Sequence, residues 1–190
     1  MTVVKKYKVK VPNNVEILFD KKKNLICVKG PLGQKIFKLN LKLIINTKFK
    51  TIEITDTNLF LMSNDEKKKK KSYKGTYLSL LKQSFLEVSV PLFKKLKLVG
   101  IGFKVIVENI LGYNFLIFKL GYSHNIYFKI PKNIKIVCLK SDTIFILGQS
   151  YHAITQVSAI IKSYKVPEPY KGKGILYENE KILLKEGKKI

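Results

Sequence analysis

Apolar and polar residues trade places in short runs over the first third of the chain. Val15-Glu16-Ile17-Leu18-Phe19 is apolar and partly alternating, and Asp20–Asn24 makes a polar turn. Leu25–Val28 then resumes the pattern before Gly30-Pro31-Leu32-Gly33 closes the next turn. Gln34–Leu39, Phe49–Ile54 and Leu59–Met62 predict three further short strands. Strands joined by tight turns, with no helical spacing between them, describe a meander and not an alternating strand–helix array.

Helical spacing follows. Tyr77, Leu81, Phe85 and Val88 fall at i, i+4, i+8 and i+11, one apolar stripe on a helix. Ser72 is the candidate N-cap, and Pro91 ends the element. The run Lys67–Lys71 would oppose the positive end of that helix's dipole, so it reads as a loop, either solvated or phosphate-facing. Strands are expected again around Lys95–Leu98, Val105–Val107, Tyr113–Leu120, Asn125–Ile130, Ile134–Leu139 and Thr143–Leu147, with a polar turn at Glu108-Asn109. A second helix over about Gln149–Tyr164 puts Ile154, Val157, either Ile160 or Ile161, and Tyr164 on one face, and Val166-Pro167 stops it.

The order strands, helix, strands, helix, tail suggests duplication. Val11-Pro12-Asn13-Asn14-Val15-Glu16-Ile17 resembles Ile130-Pro131-Lys132-Asn133-Ile134-Lys135-Ile136, and each precedes a hairpin that ends in glycine, at Gly30 and Gly148. The expected fold class is α+β, with two tandem similar domains, each an antiparallel sheet packed on one helix. The boundaries read as 1–91 and 92–166, with a basic C-terminal tail over 167–190.

Charge changes the picture from fold to partner. The chain carries 37 Lys+Arg against 13 Asp+Glu, net +24, and contains no arginine. Self-repulsion on that scale opposes compaction unless a polyanion neutralises it. Nucleic acid is the first candidate, an acidic membrane surface the second. Residues 1–50 hold thirteen lysines against two carboxylates and residues 92–140 nine against one, whereas residues 141–161 hold no lysine and one carboxylate. The second helix is thus a core element. No stretch has the roughly 18 uncharged apolar residues of a membrane span, and neither helix is a basic amphipathic one, so no membrane partner is expected. The N-terminus lacks a signal or transit pattern, so the chain reads as soluble and unprocessed. Arg-free, Lys- and Ile-rich composition suggests an AT-rich genome: a mitochondrion first, then a plastid or bacterial cytoplasm. Cys27 and Cys138 are too far apart in sequence for a metal motif and read as buried free thiols.

The segment Pro167-Glu168-Pro169-Tyr170-Lys171-Gly172-Lys173-Gly174-Ile175 carries the most informative chemistry. Two prolines stiffen its approach. Tyr170 offers a ring to a base or sugar. Lys171 and Lys173 alternate with Gly172 and Gly174, so backbone N–H groups could approach phosphate oxygens with no Cβ in the way; alternatively this is a β-turn whose lysines face water. Catalysis finds no support. His124 and His152 lack the Cys or carboxylate company of a triad, and Gly100-Ile101-Gly102 lacks the third glycine and following helix of a dinucleotide loop. No enzyme activity, cofactor or metal is expected.

The same segment resembles the signature of the large-subunit ribosomal protein L6 family in its bacterial and organellar form. Gly100-Ile101-Gly102-Phe103, Leu120-Gly121-Tyr122-Ser123-His124, Ile130-Pro131 and the closing Glu186-Gly187-Lys188-Lys189 are also similar, as are Gly30-Pro31-Leu32-Gly33 and Gly75-Thr76-Tyr77. The resemblance spans nearly the whole chain. It implies two tandem α+β domains and a structural role on large-subunit rRNA. The expected place is near the sarcin–ricin loop, with ribosomal proteins of the stalk base as neighbours and translation factors transiently nearby. Carried over by position, the RNA-binding residues would be Lys162, Lys165, Tyr170, Lys171, Gly172, Lys173, Gly174, Lys188 and Lys189. The family usually has arginines where this chain has Lys162 and Lys165, so bidentate phosphate geometry is lost there. A lysine-bound peripheral membrane or chaperone-like protein, and a nucleic-acid module outside the ribosome, are the rival readings.

Overall fold

The computed structural model describes residues 8–20, 22–39, 42–46, 49–55 and 63–187. Two units divide the chain, Met1–Val90 and Pro91–Ile190. In the first, strands β1 (Lys8–Lys10), β2 (Glu16–Asp20), β3 (Leu25–Gly30), β4 (Gly33–Lys38), β5 (Lys42–Asn46) and β6 (Thr51–Thr55) precede helix α1 (Asn64–Ser89). They form two three-stranded antiparallel sheets, ordered β1-β6-β5 and β2-β3-β4. Alternation decides which face is inward: Ile26 and Val28 of β3 are fully buried while Lys29 is exposed. Leu81, Phe85 and Val88 of α1 enter the same core, as their spacing predicts, with Tyr77 packed at its edge.

The start of α1 differs from the sequence expectation. Its N-cap is Ser63, not Ser72, and Lys67–Lys71 lie inside the helix, not in a loop. The Ser63 Oγ accepts from the Glu66 N–H at 3.4 Å, and the Glu66 carboxylate accepts from the Ser63 N–H at 3.3 Å. This reciprocal capping box satisfies two donors that would otherwise be orphaned. Asp65 and Glu66 in the first turn also offset the lysines against the helix dipole. The strand expected at Leu59–Met62 lies outside the described residues.

The second unit contains β7 (Leu92–Val99), β8 (Lys104–Ile110), β9 (Tyr113–Lys119), β10 (Ile126–Lys129), β11 (Ile134–Lys140), β12 (Thr143–Gly148), α2 (Tyr151–Ser163) and β13 (Gly174–Tyr177). Its antiparallel sheets run β10-β9-β8 and β11-β12-β7-β13. Leu96, Leu116, Phe118, Ile144, Ile146, Ile154, Ile161 and Ile175 share one core, each fully buried side chain contributing about 1.5–3 kcal/mol. Ile161 is the buried alternative and Ile160 is exposed. The β8–β9 turn is at Leu111-Gly112, three residues beyond the expected Glu108-Asn109. Ile110 pairs with Tyr113, and both central residues take positive φ. Cys27 and Cys138 are free and half-buried.

Among the described residues each unit is α+β as expected, one helix with antiparallel strands, but the strands form two sheets and not one. Chain order and strand adjacency match when β1–β6–α1 is laid on β7–β12–α2: β1-β6-β5 becomes β7-β12-β11, and β2-β3-β4 becomes β8-β9-β10. A shared detail supports that register. The turn after β3 donates the Leu32 N–H to the Val88 carbonyl at the end of α1. The turn after β9 donates the Tyr122 hydroxyl to the Tyr164 carbonyl at the end of α2. The expected register, Pro12 on Pro131, is thus wrong by part of a repeat. Those two segments look alike because both form the same local turn, Val15 N–H to Pro12 carbonyl and Ile134 N–H to Pro131 carbonyl.

Candidate nucleic-acid interface

The segment from Pro167 is built into the second unit. Helix α2 ends at Ser163, and four residues of β13 add an edge to the larger sheet, Gly174 opposite Val99 and Tyr177 opposite Leu96. Between them, Lys165–Gly174 forms a loop closed by its own hydrogen bonds. The Ile175 N–H donates to the Lys165 carbonyl at 2.9 Å, the Glu168 N–H to the Lys173 carbonyl at 3.0 Å, and the Gly172 N–H to the Glu168 carbonyl at 2.9 Å. The Lys185 N–H then donates to the Pro169 carbonyl at 2.9 Å, bringing the chain back under the loop.

That closure revises the role of the glycines. The Gly172 N–H is engaged within the loop and is not available to a phosphate. Gly174 is buried: a Cβ on it would stand 2.6 Å from Pro167 Cα and 2.8 Å from Pro167 N, at a φ of +154°. Backbone meets backbone there, so only glycine fits. The two glycines shape the loop, and its tip presents the Tyr170 ring, 55% exposed, and the exposed Lys171. Lys173 is half-buried on the same loop. Among the described residues, neither lysine has an ion-pair partner.

Lys162 and Lys165 behave differently from that pair. The Lys162 ammonium reaches both oxygens of Glu180, at 2.5 and 2.6 Å, and lies 4.7 Å from the centre of the Tyr177 ring. The Tyr177 N–H donates to the same carboxylate at 3.1 Å. The Lys162 hydrogen bond, helped by that N–H and by charge attraction, holds the Glu180 carboxyl below its ordinary value against the opposing effect of burial. Lys95 does the same for Glu178, bonded at 2.5 Å, and Lys97 adds attraction. Lys165 lies 4.3 Å from the centre of the Tyr122 ring. Of the predicted residues, the structure brings Lys165 and Tyr170–Gly174 together on one loop and ties Lys162 to an internal partner. Lys188 and Lys189 lie outside the described residues.

Sequence reasoning missed Glu180, Tyr177 and Tyr122 as parts of this site. Glu180 is one of four carboxylates in residues 167–190, so nothing in the sequence singled it out, and nothing marked Tyr122 as Lys165's partner. Among the described residues, no group of three or more His, Cys, Asp or Glu could hold a metal, and no helix is long and apolar enough to cross a membrane.

The pattern of the family described as ribosomal protein L6 matches residues 99–178, from the end of β7 through β13. The chain is 39% identical over 178 residues to the large ribosomal subunit protein uL6 of Mycoplasmoides gallisepticum, covering 94% of this chain and 91% of that one. It is 40% identical over 186 residues to the uL6m protein of Reclinomonas americana, covering 95% of each. With the uL6 protein of Chloroherpeton thalassium it shares 34% identity over 188 residues, 99% and 98% of the two chains.

Proposed function

This chain belongs to the ribosomal protein L6 family, a structural and non-enzymatic family, and from that premise we propose that it seats on large-subunit rRNA through the Lys165–Gly174 loop. As a member of that family it is a structural protein of the large ribosomal subunit. The finer reading puts it beside the sarcin–ricin loop and the stalk base, with stalk-base ribosomal proteins as neighbours and translation factors docking nearby. Its ribosome is assigned to a mitochondrion, a reading supported by the arginine-free composition and the similarity to a uL6m protein.

One observation carries the rRNA reading: Tyr170, Lys171 and Lys173 sit on a loop whose shape is fixed before any partner arrives. Ordering a flexible lysine-rich tail on RNA costs conformational entropy, and a pre-closed loop avoids most of it. Lysines meet phosphates as point charges, so specificity would come from the loop's shape and not from direct reading of base edges.

The test compares two double variants of the full chain for binding to large-subunit rRNA across a salt series. Replacing Lys171 and Lys173 by Ala should lower affinity and flatten the log–log salt dependence by about 1.4–1.8, two phosphate contacts' worth. Replacing Lys68 and Lys69 on α1 should cost less. Equal losses would reduce the loop to general charge and overturn the proposal. Sedimentation of the native protein with ribosomes outside the mitochondrion would overturn the compartment.

A further inference from the structure

Three segments far apart in sequence meet at one cleft of about 520 Å³. Phe103, from the Gly100–Phe103 turn after β7, meets Leu120-Gly121-Tyr122, from the turn after β9. Lys165, Val166, Glu168 and Lys173, from the loop after α2, close the other side. The volume lies inside the range of about 300–1,000 Å³ that small-ligand sites span.

The Phe103 ring is held between two glycine turns. A Cβ on Gly100 would stand 2.8 Å from the ring, and one on Gly121 would stand 3.3 Å from it. The result is an apolar wall formed by the half-buried Phe103, backed by the fully buried Leu120. Tyr122 stands at the edge, 43% exposed, with its hydroxyl fixed on the Tyr164 carbonyl, Lys165 against its ring, and His124 stacked at 6.0 Å. Two cations, Lys165 and Lys173, line the cleft with one carboxylate, Glu168.

We propose that this cleft receives a single unpaired nucleotide of the bound rRNA, its base against Phe103 and Tyr122 and its flanking phosphates at Lys165 and Lys173. The inference rests on the rRNA reading above and adds a defined subsite to it. A bare phosphate needs no apolar wall and is repelled by Glu168. A purely apolar side chain leaves the two lysines without a partner. A nucleotide uses all three features: the Tyr122 face that Lys165 uncovers on turning to a phosphate, for the base, cations for the phosphates, and a carboxylate that accepts from a base N–H donor.

The experiment uses the full chain bound to large-subunit rRNA. Ultraviolet irradiation followed by digestion and mass spectrometry should find one nucleotide attached to the peptide bearing Phe103 or Tyr122. Val166→Trp grows a ring into the cleft from a position 66% exposed, so folding is spared. It should weaken binding about 5- to 160-fold, the loss expected of one stacked base. Lys165→Met should weaken binding and lower the crosslink yield. Wild-type protein that binds rRNA, with both variants binding equally well and no nucleotide on those peptides, overturns the cleft reading alone. Wild-type protein that does not bind rRNA overturns the premise instead.

Discussion

Replacing Glu180 by Gln makes the protein more positive, yet the structure predicts weaker rRNA binding. The substitution keeps the side chain's shape and an acceptor for the Tyr177 N–H, and removes the charge that holds Lys162. A charge-assisted hydrogen bond contributes roughly 1.5–3 kcal/mol and a neutral one about 0.5–1.5. Lys162 and Glu180 remain 22% and 29% exposed, so solvent screening brings the expected loss of stability to about 1 kcal/mol. The segment loosened is the turn that runs from Tyr177 to the Lys185–Pro169 bond, which supports the loop from below. If net charge alone governed binding, freeing Lys162 would add a phosphate contact and steepen the salt dependence by about 0.7–0.9. Urea unfolding followed by circular dichroism, with filter binding to rRNA at two salt concentrations, separates the outcomes. Acid offers an internal check. Because the folded-state carboxyl titrates below the ordinary 4.5, the pair stabilises fully at neutral pH, and its contribution fades as the pH falls below that value. Wild type and E180Q should therefore converge in acid. A variant as stable as wild type that binds rRNA more tightly would refute the role assigned to the pair.

Other outcomes follow from backbone and cap geometry. Gly174→Ala meets Pro167 backbone at 2.6 Å with φ at +154°, combining about 1–3 kcal/mol of backbone strain with about 1–3 of overpacking; loss of rRNA affinity with stability intact would show instead that the glycine serves the RNA. Gly75→Ala has open space around it inside α1 and should stabilise the first unit by up to about 1 kcal/mol in thermal melts. Ser63→Ala removes half of the capping box and should cost about 1 kcal/mol, read as earlier amide exchange in the first turns of α1.

Pattern and composition alone determined the α+β class, the two helices, nearly all strands of the second unit, and a polyanionic partner. These depend on short-range periodicity and on summed charge, and both can be counted along the chain. The Tyr-Lys-Gly-Lys-Gly segment could be recognised for the same reason: it is contiguous. Tertiary structure decided what contiguity does not encode. Ile175-Leu176-Tyr177 becomes a strand because β7, nearly eighty positions earlier, offers it an edge. Gly174 is required by the Pro167 backbone, which packs against it when the loop closes on itself. Lys162 is engaged by Glu180, eighteen residues on, and by the Tyr177 ring, while Lys171 stays exposed, since a cation's availability depends on which groups fold beside it. The repeat register was misread where two local turns share chemistry, and pairing across sheets corrected it. Short-range order follows from neighbours in sequence, whereas the balance of charge and space at a site follows from neighbours in the fold.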